Sequence, residues 1–138
     1  MSATVTSVTD GLRRLLKSTL RFARVVRRWY LELGPGGAER RGMKLLRQWL
    51  APEQLAQYDA HNYFEVIGCD SGKRYRIHYG VGTNVCELDD RGQIKAGWCF
   101  VPKGSLVAGD VMLVQKIALE TQENSALAVA KQFTPSWY

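Results

Sequence analysis

The chain has 138 residues, 46% of them apolar, with 19 basic and 13 acidic side chains for a net charge of +6. That length suits one typical domain with or without an arm, and the apolar share excludes a disordered chain. The charge is concentrated: residues 11–31 hold seven basic side chains and no acidic one, so the remaining 12 basic and 13 acidic residues leave everything else at −1.

Residues 1–10 are polar and Ser/Thr-rich without an apolar core, which argues against a secretory signal; Thr9 or Asp10 suits the N-cap of the next element. Apolar positions then recur at Leu12, Leu15, Thr19, Phe22, Val26, Trp29 and Leu33, three and four apart, with Leu16, Ala23 and Tyr30 beside them. Arg13, Lys17, Arg21, Arg24 and Arg28 fall on the opposite side, and Arg14 and Arg27 complete the basic set. This spacing predicts an amphipathic basic helix that stops at Gly34-Pro35-Gly36-Gly37. The expected organisation is an N-terminal docking arm over 1–34 and a small domain over 35–138. An Arg-rich, acid-poor amphipathic N-terminus is also the composition of an organellar transit peptide, a minor alternative.

A second helix is expected over Ala38–Leu50, burying Met43, Leu46, Trp49 and Leu50, and a third from Pro52 to Ala60. The period then shortens to two, and Tyr63–Gly68 and Arg74–Tyr79 read as a hairpin closed by Ser71-Gly72. That turn sets Phe64 opposite Tyr79, Val66 opposite Ile77 and Gly68 opposite Tyr75 on the core face, with Arg74, Arg76 and His78 on the outer one. Thr83–Leu88 and Ile94–Val101 read as two more strands about an Asp89–Gly92 turn. Asp110 is expected to cap a last helix from Val111 with Val114, Ile117, Ala118 and Thr121 inward, bending near Glu123–Ser125 and resuming over Ala126–Lys131. The tail from Phe133 carries no pattern. The fold class expected is α+β: a four-stranded antiparallel meander packed with helices and preceded by the basic amphipathic helix.

Sites that carry chemistry are tested by spacing. Cys69, His78, Cys86 and Cys99 are separated by eight, seven and twelve residues, without the close pairs that aim two ligands at one ion, so no metal is expected. Gly68–Lys73 has three residues between its glycines where a P-loop needs four, and Arg74 stands where the magnesium-binding hydroxyl belongs. Gly80-Val81-Gly82 lacks the third glycine of a dinucleotide loop. His61, His78 and the Asp89-Asp90 pair form no acid–base arrangement. No catalytic residue, cofactor or metal is assigned, and a non-enzymatic protein is expected.

Three unpaired-looking cysteines point to free thiols in a reducing compartment, and no run approaches the roughly 20 apolar residues of a membrane span. The localisation expected is cytoplasmic, with association on the cytoplasmic face of a membrane.

The words PEQ (52–54), YFEV (63–66), RYRI (74–77), NV (84–85), WCFVP (98–102) and GDVMLVQKIALE (109–120) resemble a group of small, uncharacterised bacterial proteins, mostly alphaproteobacterial. The resemblance spans about the last three-fifths of the chain and implies a bacterial, intracellular domain. It carries over no activity, cofactor or site residue. The basic helix lies outside it, as an appended arm would.

Three roles compete for that helix. Its apolar stripe can pack on its own domain or on a second copy, giving a homo-oligomer. It can dock on an anionic membrane surface or a larger protein assembly, with Leu12, Leu15, Leu16, Phe22, Val26 and Trp29 inserted, Tyr30 at the interface and the arginines over negative charge. Or its arginines can grip nucleic-acid phosphates, which leaves the stripe unexplained. An accessory or adaptor protein of the second kind accounts for both faces, with a small basic nucleic-acid-binding protein as the alternative. Arg74, Arg76 and His78 form a secondary basic surface in this reading.

Overall fold

The computed structural model describes residues 19–28, 36–100 and 103–136. The chain divides into two units, Met1–Ala38 and Glu39–Tyr138. In the first, residues 19–28 are helical (α1). The expected arm residues Leu12, Arg13, Arg14, Leu15, Leu16, Lys17, Trp29 and Tyr30 lie outside the described residues.

The second unit is α+β. Helices α2 (Gly37–Trp49) and α3 (Pro52–His61) precede strands β1 (Tyr63–Ile67), β2 (Arg74–His78), β3 (Val85–Leu88) and β4 (Ile94–Cys99). Helices α4 (Ala108–Thr121) and α5 (Glu123–Val129) follow, and then β5 (Lys131–Phe133). All neighbours pair antiparallel in the order β1-β2-β3-β4-β5, so the meander has five strands where four were expected. The fifth is three residues long, too short to show a period. It is held because Gly97 in β4 lies opposite Phe133, and the phenyl ring occupies the space a side chain at Gly97 would need.

The alternation of β1 and β2 places Phe64, Val66, Tyr75 and Ile77 in the core with Val85, Leu46, Leu50, Tyr58, Met112 and Leu119. The register differs from expectation by two residues: Phe64 lies opposite Ile77 and Val66 opposite Tyr75. A slip of two preserves which side chains of the paired strands face inward, so Phe64, Val66, Tyr75 and Ile77 stay in the core. Tyr79, expected on the same face, lies beyond the end of β2 and is exposed, its hydroxyl donating to Glu39. Its cause is a wider turn. Gly68 N–H donates to Lys73 C=O (2.8 Å), and Cys69-Asp70-Ser71-Gly72 form a four-residue loop in place of the expected two.

Three further expectations are corrected. Helix α4 starts at Ala108 rather than Val111, and Asp110 does not cap it; the Ala108 N–H donates instead to Glu39 Oε2 in α2 at 3.0 Å. Its buried face is Val111, Met112, Gln115 and Leu119, whereas Val114 and Ile117, expected inward, are exposed. This helix is apolar nearly all round, so periodicity could not choose a face. The choice comes from Gly109, which lets the α4 backbone touch that of Gly42 and Met43, and from Gln115, whose amide exchanges hydrogen bonds with Asn84 (2.9 and 2.8 Å). Trp49, expected in the core, is 60% exposed, because Leu46 and Leu50 already fill the inward face of α2.

Helix α3 guards the sheet edge. Gln54 caps its own helix by accepting the Ala51 N–H (3.1 Å) and donates to Glu65 C=O (2.9 Å). Gln57 accepts the Glu65 N–H (2.9 Å). The middle of β1 is thereby closed to pairing with another strand.

Candidate functional site

Helix α1 begins with what its residue order dictates. Over 19–28, Thr19, Phe22, Ala23 and Val26 fall on one face at helical spacing, and Arg21, Arg24 and Arg28 fall opposite. Arg27 lies at the flank with Leu20, and Val25 at the other margin. Every one of these ten residues is exposed, Phe22 at 72% and Val26 at 45%. Phe22 and Val26, one helical turn apart, are thus both in contact with solvent, with the cations on the opposite face.

The row Arg74, Arg76 and His78 lies on the outer sheet face as expected, but it does not act as a free basic surface. The true register puts Glu65 opposite Arg76 and diagonal to Arg74. One carboxylate oxygen accepts from Arg74 Nη2 (2.8 Å) and Nε (3.3 Å), and the other from Arg76 Nη2 (2.9 Å) and Nε (3.2 Å). Burial opposes ionisation of Glu65, yet the two guanidinium groups outweigh it and hold its pKa below the usual carboxylate range. Arg76 also lies over the Tyr63 ring at 4.3 Å, with His61 stacked on Tyr63 and His78 tilted against it. Desolvation and then the Arg76 charge lower the His78 pKa. At neutral pH the row thus carries two charges, one of them cancelled by Glu65.

The residue that sequence reasoning missed is Glu123. It follows the break between α4 and α5 and is 1% exposed. Its Oε2 accepts the N–H groups of Asp70 and Ser71, both at 2.8 Å. Its Oε1 accepts the Ser71 hydroxyl and the buried Tyr75 hydroxyl, the latter at 2.7 Å. Burial alone would raise its pKa, but these hydrogen bonds prevail and bring it to about 2. Burial and the same bond push the Tyr75 phenol well up. Gly68 is required here, since a Cβ at that position would overlap the Glu123 carboxylate. The available sequence signal was Gly68 itself, a glycine at a strand end where a backbone must be approached closely.

The ligand atoms of Cys69, Asp70 and Glu123 lie within 4.8 Å of one another. Each is committed within the protein. Cys69 Sγ accepts the Glu123 N–H (3.4 Å), Asp70 Oδ2 accepts the Asn124 N–H (2.9 Å), and Glu123 is satisfied as above. The trio fastens the hairpin loop to the first turn of α5 and offers no open ligand set. Of the other thiols, Cys86 is buried and Cys99 half-buried.

A groove of about 610 Å³ runs beside α4 and α5, lined by Phe100, Leu106, Val114, Ala118, Ala126 and Val129, with Lys103 and Asp110 as its charged members. It holds no nucleophile paired with a base. No family model, curated protein or solved structure matches this chain. Among the described residues no helix is long and apolar enough to cross a membrane.

Proposed function

We propose that this protein is a non-enzymatic accessory or adaptor protein that docks on an anionic membrane surface, from the cytoplasmic side, through its N-terminal amphipathic helix. The observation that carries the reading is the exposed Phe22–Val26 pair on α1 facing away from Arg21, Arg24 and Arg28. Laid in the plane of a membrane, such a helix inserts its apolar face at the level of the acyl boundary and holds its cations over lipid phosphates. Seven basic residues at about 1 kcal/mol each supply about 7 kcal/mol, a dissociation constant on the order of 10 μM before any apolar contribution. A nucleic acid would use the same charges and leave Phe22 and Val26 in water, and so ranks second.

Co-sedimentation with mixed phosphatidylcholine–phosphatidylglycerol vesicles tests this. Phe22→Gln with Val26→Gln keeps every charge and removes about 2–3 kcal/mol of apolar contact, so membrane affinity should fall roughly 30- to 150-fold. Binding to a duplex oligonucleotide should not change. Vesicle binding that survives the double substitution overturns the membrane assignment. Duplex binding that is tighter than vesicle binding, with a steep salt slope, assigns the helix to nucleic acid.

A further inference from the structure

Helix α2 carries a second surface of the same chemistry, built into the folded unit. Its sequence, GAERRGMKLLRQW, divides the helix into three sectors. Gly42, Leu46 and the following Leu50 are buried, and Met43 packs against the same core. Next to that sector Leu45 (42% exposed) and Trp49 (60%) stand one turn apart in water, and Arg41 continues their row. The third sector holds Arg40, Lys44 and Arg47.

Of the acidic groups nearby, Asp110 lies against Gly42 on the buried side of α2, and two others are committed. Glu39 accepts the Tyr79 hydroxyl (2.9 Å) and the Ala108 N–H, and Asp59 takes Arg47 in a two-pronged ion pair. Among the described residues neither Arg41 nor Lys44 has an acidic partner within 4.0 Å. An exposed indole and an exposed leucine bordered by uncompensated cations are therefore what α2 presents outward.

We infer that this face of α2 is a second contact with an anionic bilayer, in which Trp49 and Leu45 enter the headgroup boundary and Arg41 and Lys44 meet lipid phosphates. The inference rests on the membrane reading of α1 and extends it to the folded unit. Tryptophan is favoured at that depth because its ring is apolar and its N–H finds a partner. A single weak membrane signal gives marginal, reversible binding, and a second contact on the same chain multiplies the affinity. The competing occupant, a second copy in a two-fold contact, would bring the same basic patch to the interface from both sides and so would raise the positive charge at the contact, whereas an anionic surface neutralises it.

The test uses the full chain with the same vesicles and three variants: Phe22→Gln/Val26→Gln, Leu45→Gln/Trp49→Gln, and all four together. Leu45→Gln/Trp49→Gln should keep the wild-type circular dichroism and weaken vesicle binding about tenfold, and the fourfold variant should bind more weakly than either pair. Wild-type affinity in Leu45→Gln/Trp49→Gln overturns the α2 contact while leaving the α1 reading intact. Loss in that variant with none in Phe22→Gln/Val26→Gln supports α2 and overturns α1. If the variant misfolds, brominated lipid decides: the part of the tryptophan emission that disappears in Trp49→Phe should be quenched on vesicle binding, and no quenching overturns the inference. Concentration-dependent self-association without vesicles, abolished in Leu45→Gln/Trp49→Gln, overturns it in favour of a second copy.

Discussion

Replacing Glu123 is the most exacting probe of how the second unit holds together. Glu123→Ala removes an acceptor used four times, by the N–H groups of Asp70 and Ser71 and the hydroxyls of Ser71 and Tyr75. Water can reach the loop atoms, since Asp70 and Ser71 are exposed, but the Tyr75 side chain is fully buried and its hydroxyl would lose its charged acceptor and keep only the Ser71 side chain. Loss of a buried charged acceptor shared by four donors costs about 3 kcal/mol. The depressed pKa of Glu123 is in keeping with a cost of that order. A carboxyl held at about 2 against an ordinary 4.5 corresponds to about 3 kcal/mol of stabilisation.

Because the folded pKa is depressed, that stabilisation is complete above about 4.5 and disappears as pH falls through about 2. Urea unfolding of the full chain, followed by near-ultraviolet circular dichroism, should place Glu123→Ala about 3 kcal/mol below wild type at neutral pH, or roughly 10–20 °C in melting temperature. Glu123→Gln should lose less, because the Ser71 and Tyr75 hydroxyls can rotate and accept from the new amide. Its stability should approach that of wild type as pH falls through about 2, where Glu123 becomes protonated in turn. A Glu123→Ala protein within 1 kcal/mol of wild type, or a Gln-to-Glu gap that persists unchanged in acid, would refute the assignment of this carboxylate as the loop's anchor.

Two other substitutions address the close crossing and the neutralised row. Gly109→Ala should destabilise by about 2 kcal/mol even though alanine is favoured over glycine in a helix by about 1 kcal/mol, because the added methyl meets the backbone of Gly42 and Met43; a raised melting temperature would contradict it. Glu65→Ala should cost about 1 kcal/mol and strengthen retention on heparin, since Arg74 and Arg76 lose the carboxylate they share; unchanged retention would show that Glu65 does not mask them.

The candidate site was legible where it depends on neighbours along the chain. The two faces of α1 follow from residues three and four apart, a property that no later packing is needed to create. The masking of Arg74 and Arg76 was not legible, because it turns on which residue faces Glu65 across the hairpin. Nor was the outward face of α2. Apolarity identifies Leu45, Leu46, Trp49 and Leu50 as a group, but only the room beneath the helix decides which of them find cover.

The same division runs through the fold. Alternation along Tyr63–Ile67 and Arg74–His78 was enough to send Phe64, Val66, Tyr75 and Ile77 inward, since strand side chains change face at every residue whatever the pairing. The composition and the change of period from helical to two-residue likewise settled an α+β unit. Tertiary structure decided the rest through contacts distant in sequence. Glu123 widened the hairpin loop from more than fifty residues away. Glu39 capped α4, Gly109 and Asn84 selected its buried face, and Gly97 made room for Phe133 and a fifth strand. Local periodicity is written into adjacent residues, whereas register, caps and helix rotation depend on partners that meet only after the chain has folded.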